Sequence, residues 1–272
     1  MAKAINRVAI ITKTNSSEAE KAATTITKLL TTRKIKVYSI LPLRIDNGIS
    51  VTLEDLKNVD LNFIFAIGGD GTTLRAFRII PCNTPIFSIN VGGHRGILSE
   101  VGVDSIDDAI CAILAGQFSY DLRLRIQASI NGNLFPPALN DILFTRVNLT
   151  RTPMLSIKLM GDEIKQRMDG IIISTPTGST GHSFSIGGPV LHEGLNCLIL
   201  SPIASVNRMP QLVIPTGEIE IKSTHDTLLT IDGQEIIKVT AEQIVKISRF
   251  SIDAQFIRLR KRGMRQLAKL GF

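Results

Sequence analysis

Gly68-Gly69-Asp70-Gly71-Thr72 stands between a short apolar run, Phe63 to Ile67, and a stretch with helical spacing. Glycines at such a junction let backbone amides approach phosphate oxygens with no Cβ in the way, and a helix N-terminus adds partial positive charge. An anion site is expected there, formed by Gly68, Gly69, Gly71 and Thr72. An acid inside that loop repels phosphate unless it works as a base or through a metal ion. Asp70 therefore reads as the group that accepts a proton from an attacking hydroxyl, the chemistry of phosphoryl transfer. The loop alone is also compatible with a tight Gly-Asp-Gly turn carrying an exposed Asp.

A second cluster follows Asp169-Gly170 and the apolar run Ile171 to Ile173: Ser174-Thr175-Pro176-Thr177-Gly178-Ser179-Thr180-Gly181-His182-Ser183, closed by Gly187-Gly188-Pro189. So many hydroxyl donors with so little bulk leave exposed backbone that can wrap a polar ligand, or else form a hydroxyl-rich surface loop. Asn140-Asp141, inside ALNDILFTR, is an amide beside a carboxylate at a strand edge. It can bind two adjacent sugar hydroxyls or simply make a turn.

The elements that must position these residues change character along the chain. Arg7 to Thr12 and Lys36 to Leu41 read as strands, and Phe63 to Ile67 and Pro85 to Asn90 as strands buried in a parallel sheet. They alternate with helices: one capped by Ser16 or Ser17, one around Leu74 to Ile80, and one from Asp104 or Ser105 to near Gly116. This implies a doubly wound α/β sheet over residues 1–120, with its ligand crevice at the carboxyl ends of the strands. From 121 to 249 the reading is mostly β, with Leu122 to Ile130 and Met154 to Met160 as strands and turns at Asn131-Gly132, Gly161-Asp162, His225-Asp226 and Asp232-Gly233.

A chain of 272 residues with 44% hydrophobic content can build a sizeable core. No apolar run approaches the roughly 20 residues needed to cross a bilayer, and Val8 to Ile11 is too brief for a secretory signal. Cys82, Cys111 and Cys197 lack any CxxC pairing, which fits a reducing cytoplasm, with the three as packing residues. The net charge of +7 is concentrated in the tail, where Arg249 to Phe272 carries seven basic residues against one acid. The nearly neutral body, with no Trp and two Tyr, offers no broad basic face or stacking platform, so no specific nucleic-acid partner is expected. The tail reads as a solvated basic helix or a subunit contact.

Together the segments resemble the NAD kinases, which share GGDGT (here 68–72), an Asn-acid pair (140–141), the DG, apolar run and STPTGST stretch (169–183), GGP (187–189) and DGQ (232–234). GGDGT also occurs in lipid kinases and phosphofructokinases; STPTGST separates them. The resemblance implies that Asp70 deprotonates the adenosine 2′-hydroxyl of NAD, which attacks the terminal phosphoryl of ATP or polyphosphate to give NADP. It implies an active site in the cleft between the two domains and a tail, 250–272, that rejoins the first. Gly71, Asn140, Asp141, Asp169, Thr180 and Ser185 would surround the dinucleotide, along with Thr177, Gly181, His182 and Ser183 of the same segment. Arg75, Arg151, Arg167 and Gln234 match further binding positions, the arginines suiting pyrophosphate. Mg²⁺ would arrive with the donor, with no protein metal cage, and a homo-oligomer, dimer or tetramer, is expected.

Three departures stand out. Asp141 replaces the usual Glu, Gly181-His182 replaces Ala-Tyr, and Asn90 to Leu98 is one residue longer than the usual spacing. His182 can stack on a base or be a solvated loop residue. A lipid or sugar kinase, a dinucleotide-binding regulator without turnover and a weak nucleic-acid contact through the tail are the competing readings.

Overall fold

Val8, Ala9, Ile10 and Ile11 follow one another without a polar break, a run that is stable where both faces of a strand are covered. In the computed structural model, which describes residues 4–80, 82–92, 96–260, 264–266 and 270, these residues lie in the strand Arg7–Thr12. It pairs in parallel with Lys36–Ile40 and Phe63–Ile67. The chain divides into two compact units, Met1–Leu122 with Ala254–Phe272, and Arg123–Asp253.

The first unit is an α/β layer structure on a sheet of eight strands among the described residues. Its order is Ile49–Val51, Lys36–Ile40, Arg7–Thr12, Phe63–Ile67, Ile86–Asn90, Ala254–Arg258 and Ser119–Arg123, with Val101–Gly102 also on Ile86–Asn90. The order reverses between Arg7–Thr12 and Phe63–Ile67, and the chain leaves the carboxyl ends of both strands on diverging paths. That is the place where an open α/β sheet forms a crevice. Among the described residues four helices cover the sheet, the five-residue Leu53–Lys57 and three longer ones. Ser17–Thr31 is capped by Ser16, whose Oγ accepts from Ala19 N at 3.3 Å, and it buries Ala19, Ala22, Ala23, Ile26 and Leu30 at helical spacing. Ile106–Leu114 buries Ile106, Ala109, Ile110 and Ile113. Asp70–Ile79 starts four residues earlier than the expected Leu74, so Asp70 opens the helix and is not a loop residue.

The second unit is a sandwich of two six-stranded antiparallel sheets. One contributes Ile142, Phe144, Ile171, Ile173, Leu229 and Ile231 to the core and the other Ile126, Ala128, Leu155, Ile157, Ile221 and Ile247, all 0% exposed. Alternation along each strand puts every second residue into this core. Asn131 and Gly132 have φ of 51° and 81°, as do Asp232 and Gly233 at 50° and 65°, the left-handed pair that a two-residue hairpin needs.

Three expectations are corrected here. Leu122 to Ile130 is two strands, Ser119–Arg123 in the α/β sheet and Ile126–Ile130 in the sandwich. The next hairpin turns on Met160 and Gly161, not Gly161-Asp162, because Asp162 already pairs with Leu159. Of the cysteines, Cys82 and Cys111 are exposed and do not pack; Cys197 is half-buried, and burial pushes its thiol above the ordinary range.

In the first unit Phe65 lies edge-on to both Phe63 and Phe87, with ring centroids 5.1 and 6.0 Å apart, and is fully buried. Phe65→Ala is expected to cost about 3–5 kcal/mol of unfolding free energy, read from urea denaturation.

Candidate active site

Gly68 has a steric cause: a Cβ there would lie 2.2 Å from Thr72 Oγ1, because the turn folds back on the helix it precedes. Gly69 is different. A Cβ on it would meet nothing within 4 Å, and its φ of −87° suits any residue, so no contact within the chain demands glycine. What its bareness leaves open is the approach to the helix N-terminus, where the helix dipole favours an anion.

Asp70, the first residue of that helix, is half-buried. Its Oδ2 accepts from Ile97 N at 3.2 Å and its Oδ1 from Leu98 N at 3.0 Å. Two amides from a loop remote in sequence thus set the carboxylate's plane. Each oxygen keeps a further lone pair, so the group can still take a proton. Gly96 is tied to this arrangement, since a Cβ there would stand 3.0 Å from Asp70 Oδ1 and 2.8 Å from Ser99 Oγ. The expected insertion within Asn90 to Leu98 falls in part on 93–95, outside the described residues.

Arg75, one turn along, points to the end of the neighbouring strand, donating to Thr12 O at 2.8 Å and Thr14 Oγ1 at 2.9 Å. Burial and the charge of Arg78 hold its guanidinium below the ordinary range, and its Nε is buried without a hydrogen-bond partner. A cavity of about 350 Å³ opens beside it, lined by Lys13, Thr14, Leu41, Pro42 and Ile79 among others.

In the second unit a different carboxylate organises the backbone. Asp232, in the Asp-Gly turn, accepts from Leu139 N (3.0 Å), Asn140 N (2.8 Å) and Asp141 N (3.2 Å), and its own N–H returns to Asp141 O at 3.0 Å. From this motif the sequence points to Gln234 and to an Asp-Gly turn; the capping role of Asp232 has no local signal, because the amides it accepts from lie about 90 residues upstream. Gln234 itself lies exposed in the turn, its N–H on Ile231 O.

Asn140 is also gripped from the hydroxyl-rich segment. Its carbonyl accepts from Thr175 N at 2.8 Å and Ser174 Oγ at 3.2 Å, and Gly178 packs so closely that a Cβ would lie 2.2 Å from that oxygen. Asp141 is buried, its Oδ2 3.9 Å from the position a Gly181 Cβ would take. So Asn140, Asp141, Thr177, Thr180 and Gly181 are brought together, with Thr177 and Thr180 in a short 3-10 turn. His182 and Ser185 are exposed on the four-residue helix that follows, Ser185 Oγ near Gly181 O at 3.5 Å.

Ser183 does not fit the ligand-binding expectation. It is fully buried, shares a 2.7 Å hydrogen bond with Ser201 Oγ, and has Gly188 pressed against it. Its hydroxyl joins the segment to the sheet beneath. Ser179 acts similarly, donating to Pro176 O at 2.8 Å and accepting from Leu191 N at 3.1 Å.

Asp169 pairs with Arg146 at 2.9 Å, and Thr152 lies 3.4 Å from its other oxygen. Arg151 and Arg167 are exposed. Among the described residues no group of three His, Cys, Asp or Glu side chains converges as a metal cage.

A glycine loop at a helix N-terminus with a positioned carboxylate is the build of a phosphotransferase that uses an alcohol acceptor. Residues 8–118 match the ATP-NAD kinase N-terminal domain and residues 139–259 the ATP-NAD kinase C-terminal domain. An NAD kinase of Thermococcus sibiricus is 33% identical over 212 residues, 76% of each chain, and one of Magnetococcus marinus is 30% identical over 246 residues, 85% of this chain and 81% of that one. A solved NAD kinase from Archaeoglobus fulgidus, in complex with ATP, aligns with TM-score 0.77 and 27% identity over 97% of both chains. Yeast NADH kinase complexed with NADH shares the fold, with TM-score 0.88 at 18% identity over 99% of this chain and 87% of that one. The chain belongs to the NAD kinase family.

Asp232→Ala would leave three amides around Asn140 unpaired, each costing about 1–3 kcal/mol where buried. Lower thermal stability is expected, read from the melting temperature by differential scanning calorimetry.

Proposed function

We propose that this enzyme transfers the terminal phosphoryl group of ATP or polyphosphate to the 2′-hydroxyl of the adenosine ribose of NAD, giving NADP. Asp70 is the general base. The observation that carries this role is the pair of hydrogen bonds donated by the Ile97 and Leu98 amides, which aim the carboxylate while leaving it lone pairs for a proton. In the step proposed, Asp70 takes the ribose proton, the ribose oxygen bonds to the terminal phosphorus, and the bond from that phosphorus to the donor's bridging oxygen breaks.

Gly68, Gly69, Gly71 and Thr72 meet the donor's phosphates, an assignment supported by the unobstructed Gly69 backbone. The cavity beside Arg75 suits the rest of the donor, with Lys13 adding charge. Asn140 and Asp141 hold ribose hydroxyls, while Asp169, Thr177, Thr180, Gly181 and Ser185 serve the ends of the dinucleotide. Arg151, Arg167 and Gln234 are exposed and reach its pyrophosphate or outer edges. His182 takes the place of the family's aromatic residue against a base. Ser183 is assigned to packing. Mg²⁺ fits as part of the donor complex, since among the described residues no three His, Cys, Asp or Glu side chains gather around an ion; when bound it would neutralise the donor's phosphate charge.

The chain has no described helix long and apolar enough to cross a membrane. A cytoplasmic homo-oligomer, dimer or tetramer, is the form proposed, in keeping with three free cysteines.

Incubation of the purified protein with NAD, Mg²⁺ and either ATP or polyphosphate should yield NADP on chromatography. Asp70→Asn, with unchanged circular dichroism, should lose about 10²–10⁴-fold in kcat. Wild-type turnover in that variant would remove Asp70 from the role.

A further inference from the structure

The two amides that hold Asp70 belong to a loop, 96–100, without regular secondary structure, and what holds the loop comes from the other end of the chain. Arg258, the last residue of the strand Ala254–Arg258, donates Nη1 to the carbonyl of Leu98 at 2.9 Å. Leu98 thus offers its N–H to Asp70 and its C=O to Arg258. The guanidinium is itself locked: Nε pairs with Asp121 at 3.1 Å, Nη1 lies 3.4 Å from Glu100 Oε2, and the carbon between them sits 4.3 Å above the Phe256 ring.

Glu100 closes the arrangement. Its Oε1 accepts from Leu259 N (3.0 Å) and Arg260 N (3.1 Å), its Oε2 pairs with Arg265 at 2.8 Å, and its own N–H is bonded to Ser88 O at 2.8 Å. The side chains of Arg258 and Glu100 are each 3% exposed. Two arginines of the tail, for which the sequence suggests a solvated basic helix or a subunit contact, are buried and paired within the first unit. Burying such charges is expensive, and a well-packed apolar cluster of similar volume would join a strand end to a loop at least as stably. What the apolar cluster could not do is hold a particular peptide group in a particular orientation.

We infer that Arg258, supported by Glu100, is a positioning residue for the reaction: it fixes Leu98 so that the Ile97 and Leu98 amides keep the Asp70 carboxylate aimed for proton transfer. This rests on the reading of Asp70 as the base. Freed from its amides, the carboxylate would sample other rotamers, so kcat should fall while the groups that bind NAD and the donor remain in place. A small misplacement of a reacting group is enough to cost up to about 10²-fold in rate.

The test compares Arg258→Met and Arg258→Lys with the wild type and with Asp70→Asn. For Arg258→Met the expected result is a kcat lower by about 10- to 100-fold with KM for NAD and ATP within about two-fold of wild type. Hydrogen exchange followed by mass spectrometry should show faster exchange at Ile97 and Leu98, with Phe63–Ile67 still protected. Arg258→Lys, whose ammonium can still donate to Leu98, should recover part of kcat. Added to Asp70→Asn, Arg258→Met should bring no further loss.

Unchanged kcat in Arg258→Met despite faster exchange of the loop would overturn the inference, as would an equal fold-loss in the Asp70→Asn background. Full turnover by Asp70→Asn alone would instead sink the base assignment and the inference with it. Should Arg258→Met fail to fold, Glu100→Gln carries the same test: a lower kcat at constant KM supports the inference, and wild-type kinetics refute it.

Discussion

A backbone N–H outside a helix or ladder must find an acceptor, and in this chain carboxylates meet that need at the places where chemistry is assigned. Asp70 accepts from Ile97 and Leu98, Asp232 from Leu139, Asn140 and Asp141, and Glu100 from Leu259 and Arg260. Each bond joins segments far apart in sequence, so each fixes a loop that no strand pairing reaches. Charge-assisted bonds of this kind are stronger than neutral ones, and they orient both partners. The scaffold supplies rigid strand ends; these three acids carry that rigidity into the turns.

Much of this was legible beforehand, for local reasons. The apolar runs at 7–12 and 63–67, the Ser16 cap and the Asn131-Gly132 turn obey rules that act over a few residues, and the strands, helix and hairpin stand where those rules put them. The misplaced features depend on distant partners. Leu122 to Ile130 alternates evenly, yet it splits because its two halves join different sheets. Arg258 and Arg265 look like surface charge until Glu100, about 160 residues away, is seen beside them. Asp232 could not be assigned because its partners lie about 90 residues upstream.

The hydroxyl-rich segment teaches a related lesson. Its small residues suggest a bare backbone open to a ligand, but many of them face inward. Gly178 is glycine because the Asn140 carbonyl occupies the space of a Cβ, Gly188 because Ser183 does, and the hydroxyls of Ser174, Thr175, Ser179 and Ser183 are bonded within the unit. The motif is thus largely a close-packed support in which Thr177 and Thr180 are themselves buried and Gly181 is only partly exposed. Gly69, by contrast, has nothing where its side chain would be. Identical residue types serve opposite ends, and only the surrounding atoms tell them apart.

The strand Ala254–Arg258 lies between Ile86–Asn90 and Ser119–Arg123, inside a sheet whose other strands are all made before residue 124. During synthesis the sandwich, Arg123–Asp253, is a continuous stretch and can complete its core as soon as it leaves the ribosome, whereas the α/β layer waits for the later strand Ala254–Arg258. The usual order, in which the amino-terminal body is finished first, is therefore reversed here. Until that strand arrives, the nascent layer carries an unfilled slot between Ile86–Asn90 and Ser119–Arg123, with backbone groups there left without their ladder partner.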